Sequence, residues 1–324
     1  MKAILVSKFG GPEVLKYVDI DIPTITDEDV LIRVEATSVN FADIKARQGK
    51  KGKGKTPFIP GIDAAGVIEK VGANVSNLKV GDRVISFPKS GSYAEYAVAS
   101  SELTFPIPDE LDFETAAASP IVSFLSYKLL HHIARIEKGE TVLIHAAAGG
   151  VGTTAIQMAK ILGAGKVIGT VGSEQKVEVA IQAGADEVIN YKEVDFARSV
   201  NELTNGEGAN VILDSVAGSV SERSLHCLAP FGRIVQFGNS SGEVGHFQSK
   251  DLHNSCRSVL GFSFGTMRKL RPHLVKPTAE KVIPLLATGK LNIKIGEIFQ
   301  LNEVENAHRL LESRQSVGKL LLNI

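Results

Sequence analysis

Residues 141–163, TVLIHAAAGGVGTTAIQMAKILG, pass from an apolar strand pattern through a glycine-rich turn straight into a helix. Thr141 to Ile144 is short, apolar and β-branched. Gly149, Gly150, Val151 and Gly152 follow, a turn that allows close backbone approach to a ligand. From Thr153 onward, Ala155, Ile156, Ala159 and Leu162 recur at helical spacing, so the free N–H groups and positive end of a helix face the turn. Such a junction suits a pyrophosphate. Counted from Ala146 the spacing is A-x-x-G-x-x-G, with Ala where the dinucleotide fingerprint G-x-G-x-x-G usually has its first glycine. Glycine turns also join strands to helices for packing alone, so the surroundings decide.

Working outward, residues 166–171 (KVIGTV) read as the second strand of a βαβ unit, and 187–190, 210–213 and 233–237 as later strands. Residues 175–183 and 222–228 have helical composition between them, the alternation of a doubly wound parallel sheet. Residues 1 to about 123 differ. Short alternating strands, such as 30–36, 65–71 and 82–87, are separated by Gly, Pro and Asp turns, which predicts a small β-barrel. After about residue 264, a helical stretch at 279–288 and strand-like runs at 293–299 and 319–323 have no βαβ partner, so they are expected to rejoin the N-terminal sheet. The predicted fold class is α/β, with a β-barrel domain from 1–123 and 264–324 and a doubly wound domain from 124–263.

A length of 324 residues suits two domains, and 44% hydrophobic with 22% charged residues is ordinary globular composition. Zero formal net charge argues against a general nucleic-acid binder, with only residues 45–55 locally basic. No apolar run reaches membrane length, and MKAILVSKFGGPEV is broken too early for a signal peptide, so a cytoplasmic location is expected. Cys227 and Cys256 form no C-x-x-C pair, which leaves no disulfide framework or cysteine-rich zinc site. Both are expected to be buried. His131 and His132 are adjacent on a predicted helix, where neighbours point about 100° apart, so no metal site is expected there.

Several motifs then carry a resemblance: Asn40-Phe41-Ala42-Asp43 with Arg47-x-Gly49, Pro60-Gly61-Ile62-Asp63-Ala64-Ala65-Gly66, Gly81-Asp82-Arg83-Val84, Tyr93-Ala94-Glu95-Tyr96, and His145 through Gly152. In this order they resemble the medium-chain dehydrogenase/reductases, specifically the zinc-free quinone oxidoreductase branch related to ζ-crystallin, over nearly the whole chain. The resemblance implies a GroES-like β domain interrupted by a Rossmann domain, an active site in the cleft between them, and a homodimer. Zinc-dependent relatives carry Gly-His-Glu where this chain has Gly61-Ile62-Asp63, and a four-cysteine lobe that is absent after Gly81. Asn40 and Ile62 stand at two ligand positions, and isoleucine cannot bind zinc. The implied chemistry is zinc-independent hydride delivery from a nicotinamide to a small electrophilic acceptor, a quinone or an α,β-unsaturated carbonyl. An enoyl-thioester reductase, or a non-catalytic NADPH- or RNA-binding protein, is the alternative.

For the cofactor, NAD-preferring units place an acid at the end of the second strand, but this chain has Val171-Gly172-Ser173-Glu174-Gln175-Lys176. Gly172 leaves room for a 2′-phosphate and Ser173 and Lys176 supply charge-assisted donors, so NADPH is expected. A ribose role for Glu174 is the competing reading. The resemblance places Tyr191 near the adenosine end, with a partly buried aromatic that ends a strand as the alternative, the loops holding Val216, Gly238, Asn239 and Phe264 along the cofactor, and Lys319 facing it. Ordinary strand-end turn chemistry is an open alternative for the loops. At the reacting end, Asn40 is read either as a hydrogen-bonding partner of the substrate carbonyl or nicotinamide ribose, or as a helix cap. Asp43 is read as part of a proton relay or as an ion pair with Arg47. Two departures stand out: KKGKGK at 50–55 replaces a tyrosine of many relatives, and Leu125, flanked by Ser123 and Ser126, stands where a threonine often meets the nicotinamide. The basic loop either attracts an anionic substrate or is a solvated turn.

Overall fold

The computed structural model describes residues 1–51 and 54–324, so part of the basic-loop reading, at residues 52 and 53, lies outside the described residues. The chain divides into two compact units, Met1–Ile121 with Arg268–Ile324, and Val122–Met267.

In the first unit β1 (Lys2–Val6) and β2 (Leu15–Asp19) pair antiparallel. β3 (Asp29–Val39) leads directly into helix α1 (Phe41–Arg47). β4 (Ala64–Val71), β5 (Arg83–Ser86), β6 (Tyr96–Ser100) and β7 (Thr104–Pro106) continue the antiparallel sheet, and helix α2 (Phe113–Tyr127) begins in this unit and passes into the second at Val122. In the second unit β8 (Thr141–Ile144) runs into helix α3 (Gly150–Ile161), followed by β9 (Lys166–Val171), β10 (Glu187–Asn190), β11 (Ala209–Asp214), β12 (Leu228–Gln236) and β13 (Ser258–Gly261). These six strands form one parallel sheet in the order β10-β9-β8-β11-β12-β13. The order reverses beside β8, the doubly wound topology whose switch point lies at the carboxyl ends of the first and fourth strands. Val142, Leu143 and Ile144 are all buried, as expected of a central strand covered on both faces.

β14 (Ile295–Gln300) and β15 (Lys319–Asn323) return to the first unit, whose sheet runs β14-β15-β3-β4-β5-β7 with β6 also on β3. The predicted rejoining of these strands is therefore observed. Leu320 sits opposite Val39 and Asn323 opposite Ala36, a register that delivers Lys319 to the end of β3. Ile4, Val39, Tyr93, Leu320 and Leu322 share one apolar cluster, and Val30, Ile32, Ile68 and Val84 another.

Three local readings change. The helix expected at 222–228 begins earlier, at Ser219–Ser224, after the Asp214 carboxylate accepts the N–H groups of Val216 (2.7 Å) and Ala217 (3.0 Å) and closes the preceding turn. Phe264 opens the helix Phe264–Leu270 rather than lying in a loop. Cys256 is exposed while Cys227 is buried; Cys256 stands in a left-handed turn (φ 53°) just before β13. The two histidines also depart from expectation. Segment Lys128–Ala134 is π-helical, and the Nδ1 atoms of His131 and His132 lie 3.4 Å apart. Side-chain torsions, not the Cα–Cβ direction alone, set where each ring nitrogen points.

Candidate functional site

The first unit gathers a buried polar cluster where β3 meets α1. Asn40 is extended (φ −112°, ψ 149°), and its backbone N–H donates to Asp43 Oδ2 at 2.9 Å. The Asp43 carboxylate thus reaches back over the first turn, where negative charge is favoured. The Asn40 amide is engaged at both ends. Nδ2 donates to Ser38 O (3.3 Å), Ser38 Oγ (3.2 Å) and Asp63 Oδ1 (3.2 Å), while Oδ1 accepts Lys319 Nζ at 2.8 Å. Ser38 Oγ lies 2.8 Å from each Asp63 carboxylate oxygen, and Lys319 Nζ also reaches Val39 O at 3.3 Å. Gly318 precedes this lysine at φ 59°, and a Cβ there would stand 2.2 Å from Lys294 O, so only glycine admits the chain at this approach.

Burial, and secondarily the charge of Asp63, pushes the Asp43 carboxyl up to about 6. Burial likewise raises Asp63 and lowers Lys319, the latter opposed by attraction to Asp63 and Asp43. Arg268 donates to Ile62 O (3.1 Å) and lies over the Phe87 ring (4.6 Å), adding a cation within reach of both acids. Sequence reasoning brought Asn40, Asp43 and Lys319 forward, and the structure joins them at Asn40, whose side-chain Oδ1 accepts Lys319 Nζ and whose backbone N–H donates to Asp43 Oδ2. It missed Asp63, Ser38, Tyr93 and His308, although Asp63 and Tyr93 stood inside motifs already quoted. Of the two readings of Asp43, the ion pair with Arg47 does not form; Arg47 pairs with Glu312, leaving the Asp43 carboxylate to the Asn40 N–H and the Tyr93 hydroxyl.

In the second unit the glycine turn follows β8. Ala146 takes a left-handed conformation (φ 53°), Gly149 N–H donates to Ala146 O (3.1 Å), and Gly149 stands at the N-terminus of α3. A Cβ on Gly152 would lie 2.3 Å from Ala146 O and 2.6 Å from the Ala147 carbonyl carbon, whereas one on Gly149 would meet only Ala146 O at 3.4 Å. Gly152 therefore lets helix and turn close-pack, and Gly149 leaves the outer side of the turn open. Behind it, the buried His145 ring bridges Thr170 Oγ1 and Ser224 Oγ, each at 2.9 Å. Burial pushes this imidazole down to about 4, so it ties β9 to the helix Ser219–Ser224 as a neutral group.

At the ends of β9 and β10, a Cβ on Gly172 would sit 2.5 Å from the Tyr191 hydroxyl, placing this ring over Gly172. Lys176 is half-buried, and burial followed by the nearby charge of Lys192 lowers its pKa. Gly172, Ser173, Lys176 and Tyr191 thus share one region, with Glu174 exposed. The loops after β11 and β12 also meet: Ser240 N–H donates to Ser215 O and Ser241 N–H to Val216 O, both at 3.0 Å, and a Cβ on Gly238 would stand 2.8 Å from Ser215 O. Asn239 spends hydrogen bonds on its own loop, to Gly242 N–H and Glu243 O. Phe264 is buried. On α2, Ser126 is fully buried and its hydroxyl has no hydrogen-bond partner among the described residues. No helix among the described residues is long and apolar enough to cross a membrane.

The "Alcohol dehydrogenase GroES-like domain" model matches residues 26–109 and the "Zinc-binding dehydrogenase" model residues 150–285. A quinone oxidoreductase of Pseudomonas aeruginosa is 38% identical over 99% of each chain. One of Sus scrofa is 36% identical over 99% of this chain and 97% of its own. The solved structure of an Escherichia coli quinone oxidoreductase, described as complexed with NADPH, superposes with a TM-score of 0.94 at 35% identity and covers both chains completely. With its doubly wound sheet, glycine turn and interrupted β unit, the chain belongs to the quinone oxidoreductase family of the medium-chain dehydrogenase/reductase superfamily.

Proposed function

We propose that this protein is an NADPH-dependent, zinc-independent reductase that transfers hydride to a quinone or an α,β-unsaturated carbonyl. The observation that carries the cofactor reading is the end of β9, where Gly172 stands in place of an acid and Lys176 is half-buried, its pKa lowered first by burial and then by the charge of Lys192. Two crowded ammonium groups favour a 2′-phosphate. The solved Escherichia coli relative is described as complexed with NADPH, which supports the same choice. In this reading the α3 N-terminus and the Gly149–Gly152 turn hold the pyrophosphate, Tyr191 flanks the adenosine end, and the loops at Val216, Gly238 and Asn239, with Phe264 at the start of its helix, line the rest. The orphaned Ser126 hydroxyl takes the nicotinamide carboxamide, the role sequence alignment had left to Leu125 and its neighbours.

When bound, the nicotinamide supplies the hydride. Zinc independence is supported by Ile62, which offers no ligand, and by the Asn40 amide, whose two ends are already engaged. In the first unit, Asp43 keeps a proton at its carboxyl up to about pH 6, and Lys319 Nζ donates to Asn40 Oδ1. Asn40 serves here as the hub that fixes Lys319 and Asp63, so its contribution to the acceptor is made through them.

NADPH and NADH at equal concentrations, tested against quinones, 2-alkenals and enoyl thioesters with and without a chelator, check this reading. Turnover with NADPH and a quinone or enal, unaffected by the chelator, is expected; turnover confined to enoyl thioesters would reassign the acceptor, and tight NADPH binding without turnover would indicate a binding protein. Lys176→Ala should raise the Michaelis constant for NADPH by roughly tenfold with kcat held, the value of one charge-assisted hydrogen bond. An unchanged constant, or a wild-type preference for NADH, would refute the 2′-phosphate assignment.

A further inference from the structure

Arg47, His308, Tyr93 and Asp43 stand in single file inside the first unit, each at most 1% exposed. Arg47 Nη1 lies 3.5 Å from His308 Nδ1, His308 Nε2 lies 3.3 Å from the Tyr93 hydroxyl, and that hydroxyl lies 3.3 Å from Asp43 Oδ2. The two rings meet edge to face at 5.8 Å and 87°. Donor chemistry gives the file a direction. A guanidinium has only donors, so Nδ1 of His308 accepts and the ring proton resides on Nε2. Burial and the Arg47 charge push His308 down to about 3, which keeps the ring neutral. Nε2–H then donates to the Tyr93 oxygen, and the one hydroxyl proton is left to point at Asp43.

We propose that Arg47, His308 and Tyr93 are positioning residues that aim a fixed hydroxyl proton at Asp43 and so hold its carboxylate oriented over the first turn of α1. The file orients without conducting. Passing the tyrosine proton inward would require His308 to be resupplied by Arg47, which does not deprotonate. Any proton that Asp43 exchanges during turnover therefore arrives by a route other than this one. The remaining groups facing Asp43 are Asp63 ahead of β4, Lys51 beyond α1, Lys319 on β15 and Arg268; they set its baseline, and the tyrosine acts on top of it.

The catalytic meaning of this file rests on the proposed proton-handling role of Asp43, and the experiment separates the two. In the wild-type protein, ¹⁵N spectra of labelled histidine should show His308 as the Nε2–H tautomer, neutral at pH 5. A protonated Nδ1 in the neutral ring would overturn the proposal without any variant. The Asp43 carboxyl, followed by ¹³C titration, should move upward by about one pH unit in Tyr93→Phe, because a donor to the ionised form is lost. His308→Phe should raise it by a smaller amount, and His308→Gln, which keeps a donor at the ε position, should return it toward wild type. An Asp43 titration unmoved in Tyr93→Phe would overturn the proposal. If the titration shifts but the pH–rate profile does not, the file stands and Asp43 has no proton-handling role in turnover.

Discussion

Lys319→Met should lower folding stability by about 3–5 kcal/mol at pH 8 and by distinctly less at pH 5, read from denaturant unfolding at both values. The side chain is buried, and its ammonium is the cation that bonds Asn40 within the cluster holding Asp43 and Asp63. Methionine fills similar volume but leaves Asn40 Oδ1 without its donor and two buried carboxylates with less compensation. The pH dependence follows from linkage. The Asp43 pKa is already raised from 3.8 to about 6 in the folded protein, so between those values the native state binds more protons than the unfolded state. Its contribution is fully present below pH 3.8 and is lost as pH rises through 6. Removing Lys319 lifts both acids further, widening the window in which acid relieves the damage. Equal losses at both pH values would show that Lys319 acts through packing and not through charge.

Gly152→Ala should cost about 1–3 kcal/mol and weaken NADPH binding by roughly a hundredfold, measured by thermal unfolding and by fluorescence titration. The new methyl would lie 2.3 Å from Ala146 O and 2.6 Å from the Ala147 carbonyl, both backbone atoms that no rotamer change can move aside. Relief requires α3 to shift away from the turn, and the N–H groups at its N-terminus move with it. Lost stability with intact NADPH affinity would leave Gly152 as a packing residue and remove the pyrophosphate from this turn.

Five strands of the parallel sheet were legible because each is an apolar run closed by a glycine or polar turn, a local signal that needs no distant partner, whereas the short edge strand β13 (Ser258–Gly261) was not read. β14 and β15 were placed by elimination, since neither had a helix to carry it into that sheet. The polar cluster was legible only in pieces. Asn40 and Asp43 announce themselves as a polar pair opening a helix, but what they bond to comes from Asp63, Tyr93 and His308 on other elements, and no local pattern records such a meeting. The approach of His131 to His132 depends on torsions that residue spacing does not carry, and Arg47 chose Glu312, distant in sequence, over an acid one helical turn away.

The contact between Lys319 and Asn40 joins positions 279 residues apart, with the whole second unit threaded between them. Closing so long a loop from an unstructured chain is entropically slow, whereas a parallel sheet that has already condensed shortens the effective span. The timing of assembly is thereby tied to the inserted unit: a core lesion around Leu143 or Ile212 should delay the docking of β15 on β3. Maturation of the polar cluster would then report on the folding history of a unit to which it does not belong.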